Sequence, residues 1–540
     1  MTVPQSLYHL ATQLYSKGLT SVYISPGSRN APLIRAFLSV EGLKCYHATD
    51  ERSAAFMAMG NAMATGKPAG ILCTSGTALL NYFPAMTEAF YSGIPLLAIS
   101  ADRPAKLIDQ WEGQCIRQMD VFNGHTGPTM LFDPTTNHEA NEVVDKIFDR
   151  LKSGIPVHLN VPLDEPLYQD EFIETQALPS VDFKLNTGHE KMPDEFLEDL
   201  NKAQSILLLN GTSLSKMKLN ASPIMVFNDV VSNKWNQNGL SDWDGMFLSD
   251  PSKFPAPDLL ITTGTSILSK GCRNWLRSLK GLKQWHVGTQ NPVGDPFFKQ
   301  PRIWSCHESI ALPMILEKTA SKSLNYKHVW ENVYAEYTQK VCRYDFSIDS
   351  ELSAMKFVFD HLPEGSSIHL ANSSVVRYAS WLGAHDGYKN LFANRGTSGI
   401  DGCTSTAVGF ARETEDPVFL ITGDVAFFYD INALFCSGEV TTNLRIVLLN
   451  NGGGGIFDLL DGPGQFEHSL PFQTTPHARK ARLICEDAGM AYQCAYDLDA
   501  LKSGWNPFIQ SDGPALIEIM TDSKDNAIKF KEFKKIMVDG

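Results

Sequence analysis

The chain has 540 residues, 43% hydrophobic and 20% charged, with a formal net charge of -14. That length exceeds what one hydrophobic core supports and predicts about three domains, while the acidic balance excludes a nucleic acid as main partner, because such binding needs a basic face. Ten scattered cysteines without a Cys-x-x-Cys pair indicate neither a zinc site nor a disulfide framework. No apolar run approaches the roughly 18 residues that span a bilayer, and Met1-Thr-Val-Pro-Gln-Ser6 has no charged leader, so the expectation is a cytoplasmic protein with reduced thiols.

In chain order, residues 1–180 alternate apolar runs with helical segments: Val22–Ser25, Gly70–Thr74, Pro95–Ser100 and Pro156–Val161. Runs of this kind separated by helices predict a parallel sheet covered on both faces. Within this part, Thr49-Asp-Glu-Arg-Ser-Ala-Ala-Phe-Met-Ala-Met-Gly60 reads as a helix start, with Asp50 as cap, Glu51 in the first turn and alanines that permit close packing. Ser28 and Arg29 follow a strand and open a helix, a good place for an anion. Residues 181–345 hold a smaller set, Ile206–Asn210, Leu259–Thr263 and Trp285–Val287, without the Gly-x-Gly-x-x-Gly turn of a dinucleotide site.

Residues 346–540 repeat the first pattern with Ser367–Ala371, Val418–Thr422, Leu444–Asn450 and Ala515–Met520. Ile71–Gly76, a helix through Phe90, then Pro95–Ser100 parallels Phe419–Gly423, a helix through Phe435, then Ile446–Asn450. The outer domains thus read as distant copies, and the fold class is α/β, with three doubly wound parallel-sheet domains. Only the second copy ends its strands in Gly423-Asp424 and Asn450-Asn-Gly-Gly453. An acid and amides at adjacent strand ends offer the hard oxygens that suit Mg²⁺, and the glycines let the backbone approach a diphosphate. The tail Lys529-Phe-Lys-Glu-Phe-Lys-Lys535 reads as a surface terminal helix rather than a membrane-seeking one.

The spacing from Gly423-Asp424 to Asn450-Asn451 resembles the thiamine-diphosphate (ThDP) motif. Ser25-Pro-Gly-Ser-Arg-Asn-Ala-Pro32, Thr74-Ser-Gly-Thr-Ala78, Ser100-Ala-Asp-Arg-Pro104, Asn372-Ser-Ser-Val-Val-Arg377, Asn394-Arg-Gly-Thr-Ser-Gly-Ile-Asp-Gly402 and Asn450-Asn-Gly-Gly-Gly-Gly-Ile-Phe457 extend that likeness. Together they resemble the 2-succinyl-5-enolpyruvyl-6-hydroxy-3-cyclohexene-1-carboxylate synthase (MenD) family, densely in both outer domains and thinly from about 180 to 350.

The resemblance implies a pyrimidine-binding domain over 1–180, a central domain over 181–345 and a diphosphate-binding domain over 346–540. It implies decarboxylation of 2-oxoglutarate on ThDP and 1,4-addition of the succinyl carbanion equivalent to isochorismate, in menaquinone biosynthesis. Glu51 would share a proton with the aminopyrimidine ring. Asp424 and Asn451 side chains and the Gly453 carbonyl would bind Mg²⁺, with Gly423 and Ile456 at the cofactor and Ile400 beneath it. Isochorismate would lie against Ser28, Arg29, Arg103, Gln114 and Lys270; Ser373, Arg377 and Arg395 would hold the succinyl carboxylate, and Phe457 and Leu460 would form an apolar wall. Both substrates are dicarboxylates, for which the planar guanidinium fork is favoured. A homodimer or homotetramer with active sites shared between subunits is implied.

Three departures from the family pattern stand out. Val425 replaces the second Gly of the broader ThDP pattern, Gly113 stands where Asn often precedes the Gln, and Gly271 follows Lys270 where a second basic residue occurs. The last two bear on the isochorismate site and leave the cofactor site untouched.

Overall fold

The continuous apolar runs form parallel strands because both faces of each are buried. In the computed structural model, which describes residues 3–135, 140–168, 179–236, 239–289, 293–383, 387–459, 462 and 468–539, the chain forms two compact units. One comprises Met1–Asn186, Gly396–Glu415 and Tyr429–Leu444; the other comprises Thr187–Arg395, Asp416–Phe428 and Arg445–Gly540.

The first unit holds a 6-stranded sheet in the order Lys44–His47, Ser21–Ile24, Ala69–Cys73, Leu96–Asp102, Val157–Pro162, Met130–Leu131. Its neighbouring strands pair in parallel. Ala69–Cys73 and Leu96–Asp102 are buried at every position, which is why they read as unbroken apolar runs.

Helix Glu51–Thr65 packs in this unit against helix Cys403–Ala411. The approach is close enough that a Cβ on Gly60 would run into the Thr406 carbonyl and one on Gly409 into that of Met57. The alanines and glycine noted in the sequence therefore serve a helix crossing.

The second unit carries two larger sheets and a 2-stranded one that pairs Met217–Leu219 with Lys234–Asn236. Its 5-stranded sheet runs Arg302–Trp304, Lys283–Val287, Leu259–Thr263, Ile206–Asn210, Met225–Asn228, the doubly wound order 2-1-3-4-5 read from the other edge. Its 6-stranded sheet runs Asn390–Phe392, Ser367–Leu370, Val418–Gly423, Leu444–Asn450, Ala515–Met520, Ala491–Ala495. Numbered within each sheet, the two 6-stranded sheets share the order 2-1-3-4-6-5, the arrangement expected of duplicated domains.

One hydrophobic cluster of the second unit joins Leu209 and Phe227 of its smaller sheet to Ile421, Leu449 and Ile517 of its larger one. The terminal helix Ser523–Asp539 adds Phe530, Phe533 and Met537 to that cluster, leaving Lys531 and Lys535 exposed. The predicted interior strands appear within one or two residues of their expected ends. The edge strands Lys44–His47, Met130–Leu131, Asn390–Phe392 and Ala491–Ala495 were not marked by apolar runs, because edge positions are short and partly exposed. All ten cysteines are free thiols. No helix among the described residues is long and apolar enough to cross a membrane.

Candidate active site

In the first unit, Glu51 opens its helix behind the Asp50 cap, whose side chain accepts from the Arg52 and Ser53 amides. The Glu51 carboxyl is half-buried, and burial pushes its pKa upward. Its side chain makes no hydrogen bond or ion pair to another residue among the described ones, only to its own backbone amide. Nearby segments contribute buried hydroxyls without partners, Thr74 Oγ1 and Ser75 Oγ. Gly27 and Thr74 are in such close approach that a Cβ on the glycine would overlap the threonine side chain. These orphaned groups and a lone carboxyl at strand ends form a cradle in which a polar heterocycle fits.

Ile400 belongs to the same unit and is half-buried. Its loop is held at both ends. Glu88, itself buried, accepts from the amides of Gly396 at 2.7 Å and Thr397 at 2.6 Å, and Gly402 adopts φ 73° against the Phe56 ring.

The residues expected at isochorismate divide into engaged and exposed ones. Arg29 is buried, donating to the Leu163 carbonyl at 2.9 Å and pairing with Glu165 at 3.1 Å, with Nε left unpartnered. Ser28 is exposed. Helix Ala31–Leu38 begins three residues beyond it, so Ser28 lies in the approach to the helix rather than in its first turn. Arg103 follows strand Leu96–Asp102 and donates to the Gly113 carbonyl at 2.8 Å, joining it to the loop of Gln114.

Gln114 is exposed with φ 53°, and its backbone lies 3.1 Å from where a Cβ of Gly76 would stand. Buried Gln118 fixes that loop, accepting from Gly76 N at 2.8 Å and donating to Asn160 at 2.8 Å. Lys270, in the second unit, is exposed at the first turn of helix Lys270–Ser278.

The second unit joins Arg395 to the Ser373 segment through a residue the sequence reading left without a role. Asn372, at the end of strand Ser367–Leu370, accepts from Arg395 Nη1 at 2.8 Å and donates to the Asn394 carbonyl at 2.8 Å. Ser373 takes φ 78°, a left-handed conformation that costs a non-glycine residue energy and clusters at ligand sites. Arg377, one turn into helix Ser374–Leu382, is half-buried, and its guanidinium makes no hydrogen bond or close ion pair among the described residues. Arg273, likewise half-buried and without such a partner, acts electrostatically on Arg377, and Asp244 on both. Burial lowers the pKa of each guanidinium. Arg273 stands two residues beyond Gly271, where a glycine is required because a Cβ would approach Phe247 Cβ at 2.5 Å.

At the ends of strands Val418–Gly423 and Leu444–Asn450, Asp424 is buried and organises the glycine turn. Its Oδ2 accepts from Gly452 N at 2.8 Å and Gly453 N at 2.9 Å, and Oδ1 from Val425 N at 2.7 Å. Burial pushes the Asp424 pKa up, opposed by His477, whose Nε2 lies 3.5 Å from Oδ2. Gly453 has φ 156°, with no room for a side chain because a Cβ would lie 2.5 Å from the Thr474 carbonyl. Its carbonyl accepts from Gly455 N at 2.9 Å and retains a second lone pair.

Asn451 donates through Nδ2 to Glu351 at 2.6 Å, while its Oδ1 is buried without a partner. No three His, Cys, Asp or Glu side chains among the described residues converge as a metal cluster. A divalent ion here would rest on one carboxylate plus amide and carbonyl oxygens, a donor set that fits Mg²⁺ rather than a softer metal. Gly423, Ile456 and Phe457 border this turn and are half-buried. Leu460 lies outside the described residues.

Sequence reasoning missed Asn372, Gln118, Glu88, Arg273, Glu351 and His477. Asn372 had a signal, since it directly precedes Ser373 at a strand end; the others lie in separate segments that only folding brings into place.

Comparison with known proteins agrees with this geometry. Residues 7–121 match the family described as thiamine pyrophosphate enzyme, N-terminal TPP binding domain. The chain is 35% identical to a 2-succinyl-5-enolpyruvyl-6-hydroxy-3-cyclohexene-1-carboxylate synthase of Cytophaga hutchinsonii, covering 98% of both chains. It is 36% identical to the synthase of the same name from Flavobacterium johnsoniae, over 96% of each.

Among solved structures, a putative thiamin diphosphate-dependent enzyme from Mycobacterium smegmatis aligns with TM-score 0.67 at 18% identity, covering 97% of this chain and 99% of that one. A thiamine diphosphate-dependent 4-hydroxybenzoylformate decarboxylase from Rhodococcus jostii aligns equally well, with TM-score 0.67, 16% identity and coverage of 97% and 99%. These two share the fold. With full-length identity above one third to the synthases, the chain belongs to the 2-succinyl-5-enolpyruvyl-6-hydroxy-3-cyclohexene-1-carboxylate synthase family of ThDP-dependent enzymes.

Proposed function

We propose that the protein, with ThDP and Mg²⁺, decarboxylates 2-oxoglutarate and adds the succinyl unit to isochorismate in a 1,4-addition. The product is 2-succinyl-5-enolpyruvyl-6-hydroxy-3-cyclohexene-1-carboxylate, a step of menaquinone biosynthesis. The substrate assignment rests chiefly on Arg377: a half-buried guanidinium without a hydrogen-bonding or ion-pairing partner, beside the strained Ser373, is a site prepared for a carboxylate.

When bound, ThDP supplies the carbanion equivalent that a 2-oxo acid needs to lose CO₂ and pass on its acyl carbon. Glu51, whose pKa burial raises, would share a proton with the aminopyrimidine ring nitrogen. Ile400 would lie against the cofactor. Asp424, Asn451 Oδ1 and the Gly453 carbonyl would hold Mg²⁺ for the diphosphate, with Gly423 and Ile456 alongside.

Ser373, Arg377 and Arg395 orient the succinyl carboxylate, and Phe457 helps exclude water. Ser28, Arg29, Arg103, Gln114 and Lys270 receive isochorismate. Each desolvated charge-assisted hydrogen bond contributes roughly 1.5–3 kcal/mol. The three larger sheets correspond in this reading to a pyrimidine-binding domain over 1–180, a central domain over 181–345 and a diphosphate-binding domain over 346–540. The assembly is a cytoplasmic homo-oligomer with sites shared between subunits.

The test is CO₂ release from 2-oxoglutarate by the purified protein with Mg²⁺ and ThDP, with and without isochorismate, and identification of the product by mass spectrometry. A succinylated cyclohexene adduct formed only with both substrates is the expected result. CO₂ release without that adduct would overturn the acceptor assignment, and cofactor binding without decarboxylation would overturn the donor.

A further inference from the structure

The geometry points to Glu351 as a positioning residue that fixes the Asn451 side-chain amide with Oδ1 turned toward the cation. This rests on the reading of Asp424 and Asn451 as Mg²⁺ ligands. A primary amide is nearly symmetric in shape, so a half-turn exchanges its oxygen and nitrogen with little steric cost, and only its hydrogen-bond partners decide which atom faces the cation. Here Glu351 Oε1 takes the amide N–H at 2.6 Å, and Asn451 Oδ1 is left buried and unpartnered. With the amide reversed, Oδ1 would face a carboxyl oxygen and an N–H would point at the cation.

Glu351 is itself held on every side. Oε2 accepts from the Tyr378 hydroxyl at 3.0 Å, Oε1 from the Thr521 hydroxyl at 3.4 Å, and the Glu351 main-chain amide donates to Asn526 Oδ1 at 2.9 Å. Oε1 accepts in either protonation state of Glu351, because a proton on Oε2 meets the Tyr378 oxygen. Gly455 completes the seat: a Cβ there would stand 2.5 Å from Asn451 Nδ2, so a larger residue would push the amide off its anchor.

The charge pattern agrees. Glu351 and Asp424 are two buried acids that repel each other, and no lysine or arginine pairs with either among the described residues; His477 alone faces Asp424. Burying two acids this way is costly unless a cation is bound beside them. The glutamate lies in the first turn of helix Glu351–His361, far in sequence from both expected ligands.

A double-mutant cycle on the full-length protein tests this, with Mg²⁺ affinity measured by calorimetric titration at saturating ThDP and the cofactor-free melting temperature recorded for each variant. Losing a partner that orients a metal ligand costs roughly 10–100-fold in metal affinity. Glu351→Met, which removes the acceptor, is expected to weaken Mg²⁺ binding by that factor. Asn451→Ala weakens it as well, and the double variant should be no worse than Asn451→Ala alone. Glu351→Gln, which keeps an acceptor oxygen, should retain most of the affinity.

Wild-type affinity in Glu351→Met, or losses that multiply in the double variant, would overturn the positioning role. So would a loss in Glu351→Gln equal to that in Glu351→Met, since charge rather than orientation would then be responsible. Undiminished Mg²⁺ binding in Asn451→Ala would instead remove the cation-site reading itself. Should Glu351→Met not fold, Glu351→Asp, whose carboxylate is withdrawn by one methylene, carries the same comparison.

Discussion

Arg395 donates through Nη1 to Asn372 Oδ1 at 2.8 Å, and Asn372 donates through Nδ2 to the Asn394 carbonyl at 2.8 Å, so one strand-end amide grips both the arginine and the backbone that carries it. Asn372 thereby fixes where the Arg395 guanidinium stands. Replacing it by alanine should lower kcat/KM for 2-oxoglutarate roughly 10–100-fold, the worth of a hydrogen bond to a charged group. The loss should fall mainly on KM, with the thermal shift produced by Mg²⁺ and ThDP unchanged. Steady-state kinetics beside a melting assay would check both halves.

Glu51 carries no competing side-chain partner, and its carboxyl is raised in pKa by burial. Glu51→Gln should therefore still be stabilised by Mg²⁺ and ThDP, while turnover falls roughly 10²–10⁴-fold, the usual range for a group that moves a proton in the reaction. Near-normal CO₂ release by this variant would remove Glu51 from the chemistry.

The crossing of helices Glu51–Thr65 and Cys403–Ala411 depends on glycine at both contact points. Gly60→Ala places a methyl group against the Thr406 carbonyl, and Gly409→Ala one against that of Met57. Each should destabilise the protein by about 1–3 kcal/mol, the typical cost of overpacking. Chemical denaturation of the cofactor-free protein measures it, and a gain in stability would mean that the helices part at no cost.

Asp430 supplies a pH dependence whose sign can be worked out. Burial pushes its pKa to about 6, despite hydrogen bonds from Ser405 N at 2.7 Å and Ser405 Oγ at 2.8 Å. The folded state therefore binds the proton more tightly than the unfolded chain, whose carboxyl titrates near 3.8. The associated stability is fully present below that value and is lost as pH rises through about 6. Wild type should lose stability relative to Asp430→Asn across that interval and hold a constant difference above it. Unfolding curves at a series of pH values would show it, and a flat difference would contradict the shift.

Much of this protein was legible in its sequence. The interior strands announced themselves because burial on both faces demands unbroken apolar runs, and the turn that holds Asp424, Asn451 and Gly453 because acidic, amide and glycine residues follow two such runs directly. The edge strands were not, since Lys44–His47 and Ala491–Ala495 mix polar and apolar residues at half-exposed positions. The partners of the nominated residues were also hidden: Asn372 holds Arg395, Glu88 holds the Ile400 loop, and Glu351 takes the Asn451 amide. Sequence by itself determined the fold class, the family and the residue types at the strand ends, because these follow from local burial and short-range spacing. Only the tertiary structure decided which guanidiniums are left unpaired and which way an amide faces, because hydrogen bonds are directional and their partners come from segments that meet only when the chain folds.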